Sequence, residues 1–199
     1  MKLMISKMLM LSIFATTLAA NIGAVQANGE RGHGRSHAQN CETWLDGRAT
    51  GRVPPHCRQL AEELNHVRRA TSAFFSFDVA VSAGWDTAIS PCVESPMGGM
   101  GFHIANIDQL NNGTLSLLRP EVLLYAPTED GSMEFLGVEY IIPDPDQELL
   151  EPPVLMGQTF HFNPGQKIWA LHVWIGKDNP NGIFADWNPE VSCEFAPDD

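Results

Sequence analysis

At Gly84 the hydrophobic period of the chain changes from a helix's to a strand's, and that change restricts the folds open to it. Over residues 58–83, successive positions about 100° apart place Leu60, Leu64, Val67, Thr71, Phe74 and Val81 on one stripe, continued by Trp85. Arg58, Glu62 and Arg69 face away. Pro54-Pro55 punctuates the entry and Gly84 is placed to end the segment, which predicts one long helix. Beyond Gly84 the apolar residues alternate in short runs: 102–107, 121–126, 134–142, 159–162 and 167–175. The expected fold is therefore α+β, with one long N-terminal helix packed on a mostly antiparallel, curved sheet or partial β-barrel.

The runs at 121–126 and 134–142 flank Asp130-Gly131, a pair suited to a two-residue hairpin loop. That loop would pair Val122 with Glu139, Leu123 with Val138 and Leu124 with Gly137. Both faces of the hairpin then carry apolar side chains, so it belongs inside the sheet rather than at its edge. On this pairing Glu139 shares a face with Val122, Leu124, Phe135 and Ile141. A second hairpin is expected around Asn163-Pro164-Gly165, with Ile168, Ala170, His172 and Trp174 on one side. Met97-Gly98-Gly99-Met100-Gly101 reads as a turn or bulge ahead of the strand at 102–107, because it lacks the spacing of a phosphate cradle. Residues 143–153 form an acidic, proline-rich connection, and 179–193, broken by turns, is expected to wrap back over the sheet.

With 199 residues the chain suffices for one domain, and 24 acidic against 12 basic residues give a net charge of -12. Such a balance excludes a basic face for nucleic acid or for anionic lipid. Lys2 and Lys7, the apolar stretch from Met8 to Ala20, and Val25-Gln26-Ala27 form a signal-peptide pattern over 1–27. Export to the periplasm or medium follows, with no membrane association after cleavage. Residues 28–57, rich in His, Gly and Arg, read as a loose arm, and 58–199 as a single α+β domain. All four cysteines lie in the exported part, and an even count in an oxidising compartment favours two disulfides. Of the three possible pairings, Cys41 with Cys57 and Cys92 with Cys193 is favoured: a local clasp and a long tie.

Four groups are polar where the pattern calls for apolar ones: Asp78 in the helical stripe, and His103, Glu139 and His172 on strands. Two imidazoles with one or two carboxylates are a donor set for a divalent transition metal (Mn, Fe, Zn or Cu), whereas calcium would want oxygens throughout. A dication would also offset the charge of acids that packing otherwise forbids. His103, Glu139 and His172 are the candidate ligands, with Asp78 as a fourth ligand or outer partner, and Asn106 and Tyr140 as outer partners. His161 is an alternative third imidazole. The competing reading is a metal-free polar network in a non-catalytic envelope or interaction module. Trp169, Trp174, Phe184 and Trp187 read as core before they read as a ligand pocket. No Gly-x-Ser-x-Gly elbow is present, and neither a small-molecule ligand nor a protein partner is named by these residues.

The run Pro96-Met97-Gly98-Gly99-Met100-Gly101-Phe102-His103, then Pro120-Glu121-Val122-Leu123-Leu124-Tyr125, Gly137-Val138-Glu139-Tyr140, His172-Val173-Trp174, Asn179-Pro180-Asn181-Gly182 and Trp187-Asn188-Pro189 resembles a family of uncharacterised bacterial exported proteins. The resemblance covers about Val67 to Cys193 and matches Asp78, Cys92, His103, Glu121, Glu139, His172 and Cys193. Ile104 departs from it, standing where the pattern has an aromatic residue. It implies an exported protein and brings no chemistry with it.

Overall fold

The structure, a computed structural model, describes Cys41, Trp44, Leu45 and residues 52–197. The signal-peptide segment and most of the arm lie outside the described residues, all of which belong to the compact unit Arg31–Asp199.

The fold is α+β, but the expected long helix is not continuous. Helix α1 (Arg58–Thr71) buries Leu60, Leu64, Val67 and Thr71, as the stripe requires. A 3-10 turn follows at Ser72–Phe75, then Ser76 is extended, then a short helix α2 (Phe77–Ser82). The break has a chemical cause. Thr71 Oγ1 donates to the Val67 carbonyl and Ser72 Oγ to that of Arg69, competing with the backbone ladder. Phe74 and Phe77 would share a face of a continuous helix and Phe75 would point well away from it; with the break, the three pack on Trp85, Tyr125 and Phe135 respectively. Tyr125 Oη donates to the Phe74 carbonyl at 2.6 Å, satisfying an acceptor that the helix gave up. Beyond the break the wheel is rephased: Ala80 is buried, while Asp78 and Val81 are exposed. Gly84, at φ +100°, closes α2 as expected.

Among the described residues, seven strands make one antiparallel sheet. Along its path lie β1 (Thr87–Ala88), β3 (Gly98–Ala105), β4 (Val122–Pro127), β5 (Met133–Pro143), β9 (Ile168–Val173) and β8 (His161–Asn163). Strand β2 (Val93–Ser95) pairs with the other end of β3, and β6 (Val154–Leu155) with β7 (Gln158–Thr159) forms a separate small hairpin. The sheet is open rather than closed into a barrel. Its central strands β4 and β5 are buried on both faces, with every residue of β4 buried.

The pairings Val122–Glu139, Leu123–Val138 and Leu124–Gly137 are those expected from the sequence, yet the loop is not the two-residue one. Thr128 and Ser132 close a wider turn in which Asp130 accepts from the Thr128 hydroxyl and the Ser132 N–H. A bulge that skips Leu136 then restores the register between Leu124 and Tyr125. One consequence is a correction. Phe135 faces Tyr125 and the helices, on the opposite side of the sheet from Glu139.

Strand β3 is longer than expected at its start and ends at Ala105, where Asn106 caps a short helix α3 (Ile107–Asn111). Its glycines are part of the strand, because the chain's last segment lies directly on them. A Cβ at Gly98 would stand 2.3 Å from the Asn188 carbonyl oxygen, and one at Gly99 2.7 Å from that of Val191. Both favoured disulfides, Cys41–Cys57 and Cys92–Cys193, are present. Among the described residues no helix is long and apolar enough to cross a membrane.

Candidate metal centre

The site lies on the sheet face opposite the one on which the 3-10 turn and α2 pack. Glu139 on β5 is paired directly with His172 on β9, and directly opposed residues share a face. His103, on β3, is paired with Leu124, which shares that face with Val122, the partner of Glu139. The imidazole of His103 therefore reaches over β4. Its Nε2 stands 3.7 Å from Glu139 Oε2, and His172 Nε2 stands 3.5 Å from Glu139 Oε1. All three side chains are buried, and their donor atoms lie within 4.8 Å of one another. A tetrahedral ion with bonds near 2.0–2.1 Å spaces its donors about 3.3 Å apart, so small side-chain adjustments would close the set on an ion. The second cluster of ligand-type residues, Cys41, His56 and Cys57, has both sulfurs in a disulfide.

Glu139 Oε2 and His172 Nε2 are buried without a hydrogen-bond partner. Orphaned polar atoms of this kind are costly. Behind the imidazoles stand two residues with no local signal in the sequence. Ser90 Oγ lies 2.9 Å from His103 Nδ1, and Asp186 Oδ1 lies 3.4 Å from His172 Nδ1. A proton on each Nδ1 would leave each Nε2 lone pair directed at Glu139, the arrangement by which a second residue fixes a ligating histidine. Asp186 also reaches out to His161 Nδ1 at 3.1 Å. His161 is thus exposed on β8 and belongs to the rim, not to the donor set.

The two imidazoles are displaced in opposite directions. Burial holds His103 below its ordinary value, with the Glu139 carboxylate only partly offsetting it. At His172 burial acts in the same sense, but the carboxylates of Glu139 and Asp186 together outweigh it and raise the group. Asp186 is correspondingly lowered: burial raises it, and the two imidazoles more than compensate.

Three of the residues expected here are placed elsewhere. Asp78 is exposed in the first turn of α2, where the helix dipole favours an acid, because the break at Ser76 turned it off the buried stripe. Asn106 caps α3 by accepting from the Gln109 N–H. Tyr140 neighbours Glu139 and so points to the other face, where its hydroxyl donates to the Leu117 carbonyl. The chain matches no family model, no curated protein and no solved structure.

A further buried acid lies close by. Glu121 accepts from the Ile141 N–H at 3.1 Å. Burial raises it from an ordinary 4.5 to about 7; two backbone N–H groups act against the rise, and the charge of Glu139 adds to it. The native carboxyl keeps its proton between those values while the unfolded chain has released it, so this residue makes stability fall as pH rises from 4.5 to 7. Glu121→Gln keeps an acceptor for Ile141 and cannot ionise. Urea unfolding of chelator-treated protein at both ends of that window should show a smaller loss in the variant. Equal losses would refute the assignment.

Proposed function

We propose that this is an exported protein that holds one divalent transition metal on His103, Glu139 and His172, keeping a coordination position open to the cavity in front of them. The observation that carries the reading is the pair of orphaned buried atoms, Glu139 Oε2 and His172 Nε2, facing one another's side chains in a cluster of metal-type donors. Two histidines and one carboxylate are a donor set of catalytic zinc sites and of non-haem iron sites alike. Export is supported by the leader pattern together with two disulfides.

One observation favours the metal-free alternative. The raised His172, flanked by Glu139 and Asp186, has the makings of an imidazolium held between two carboxylates. Elemental analysis of protein recovered from the periplasm separates the two. The wild type should carry about one equivalent of a transition metal, and His103→Ala and His172→Ala should carry a small fraction of it. Correctly folded wild type with only traces of metal would leave the polar network as the better reading.

A further inference from the structure

A cavity of about 450 Å³ opens in front of the cluster, with His103, Glu139 and His172 at its floor. The volume falls within the roughly 300–1,000 Å³ of small-molecule sites. Its walls are chiefly apolar: Ile89, Val93 and Met100 come from the β1–β3 side, and Ile141, Phe162 and Ile168 from β5, β8 and β9. Among the described lining residues there is no lysine or arginine; the carboxylates are Asp186 and Glu139, and of the imidazoles outside the donor set His161 is already taken up by Asp186. Nothing on the walls would neutralise a phosphate or a second carboxylate, and Asp186 with a net charge of -12 would oppose a polyanion. The floor is different. A dication on two neutral imidazoles and one carboxylate retains a net positive charge, and three protein donors leave room for a fourth from outside.

Resting on the metal reading above, we propose that the site binds a small monoanion with an apolar body, such as a short-chain carboxylate, its head on the metal and its chain between Ile89, Val93, Met100 and Ile168. Head and body are recognised by different parts of the cavity, so they can be tested apart. The apolar walls stabilise each added methylene, and a fully buried one strengthens binding about fourfold. The floor discriminates by charge, so an alcohol of equal length loses the contact to the metal.

The whole exported chain, with both disulfides intact, is loaded with cobalt(II), and its uptake is measured by elemental analysis. Acetate, butanoate, hexanoate and hexan-1-ol are then titrated while the visible bands of the metal are followed, with calorimetry as a second readout. The carboxylates should perturb the cobalt bands, with affinity rising about fourfold per methylene until the cavity is filled. Hexan-1-ol should bind at least tenfold more weakly than hexanoate. Ile89→Asn and Ile168→Asn, neither a donor, should keep one equivalent of cobalt and reduce the preference for hexanoate over acetate several-fold. Protein that takes up cobalt but binds all three carboxylates equally, or binds the alcohol as well as the acid, overturns the ligand and leaves the metal site standing. Protein that takes up no cobalt overturns both.

Discussion

Glu139→Gln is expected to abolish most of the thermal stabilisation that a transition metal confers on this protein. At a free metal concentration a thousand times its dissociation constant, a ligand bound only by the native state stabilises it by about 4.1 kcal/mol. For a domain of this size that corresponds to a rise in Tm of roughly 8–16 °C. Zinc-finger sites bind with about 10–16 kcal/mol over four ligands, so one ligand is worth roughly 3–4 kcal/mol and its loss costs two to three orders of magnitude in affinity. At the same metal concentration the variant would keep only about 0.4–1.4 kcal/mol. Ser90→Ala and Asp186→Asn, which reach the donor set only through the far nitrogens of the two imidazoles, should lie between, at about a 10–100-fold loss. Thermal unfolding with and without chelator reads all four proteins. A chelator effect of equal size in wild type and Glu139→Gln would place the metal somewhere else.

Protonation gives the same site a second signature. Because His172 is raised, metal must displace a proton from it, and affinity should climb with pH by up to about tenfold per unit until that group is neutral. His103, held low, adds no such dependence in that window. Without metal the sign reverses. A raised imidazole contributes stability that is fully present below its unfolded value of 6.5 and is lost as pH rises through the folded one. Metal-free protein should thus lose the His172 contribution as the pH climbs, while the metal's own contribution grows. Comparing wild type with His172→Gln isolates that contribution from those of Glu121 and His103.

How far these features are legible in the amino-acid order depends on whether they are local. The hairpin of β4 and β5 was readable because a strand side chain alternates with period two, so the apolar pattern that selects the buried faces also fixes which residues oppose one another. Even there two departures offset each other. The loop is wider than Asp130-Gly131 suggests, and the bulge at Leu136 restores the register, so Glu139 meets Val122 as expected while Phe135 changes face. Asp78 shows the limit of periodicity. A wheel assumes an unbroken helix, and tertiary contacts of three phenylalanines outweighed helical propensity over 72–76, shifting the phase of everything after it. The supporting residues Ser90 and Asp186 could not be read at all. Each lies in irregular chain: Ser90 is set beside His103 where the pairing of β1 with β3 runs out, just past the Ile89 N–H bond to the His103 carbonyl, and Asp186 is brought to His172 by the tail. His103, Glu139 and His172 were visible because each is a polar residue in an apolar alternation, which is a local signal even though their meeting is not.

Opening the Cys92–Cys193 disulfide should cost stability and affinity together. The bond joins residues 101 positions apart, and the chain-entropy model assigns a loop of about that length roughly 4.7 kcal/mol, against about 3 for one like the 16-residue separation of Cys41 and Cys57. A Cys92→Ala/Cys193→Ala protein should therefore lose about 4 kcal/mol, measured by urea unfolding. The loss will not be spread evenly. The tail it anchors contains no long strand or helix. It is held by the reciprocal backbone bonds of Gly99 and Asn188, by Asn188 Nδ2 donating to the Asp178 carbonyl, and by Cys193 N–H donating to Glu94. Its own Ile183, Phe184, Asn188 and Val191 are buried. With the tie gone, the amides of Asn188 and Val191 should lose hydrogen-exchange protection first, while those of β4 and β5 keep theirs. The same tail carries Asp186 behind His172, and Trp187 into the cavity wall. Metal affinity should accordingly fall about as far as in Asp186→Asn, roughly 10–100-fold, although the deleted sulfurs ligate nothing. Unchanged affinity in a protein whose tail amides exchange freely would mean that Asp186 does not orient His172, and the outer support of the site would have to be sought on the sheet itself.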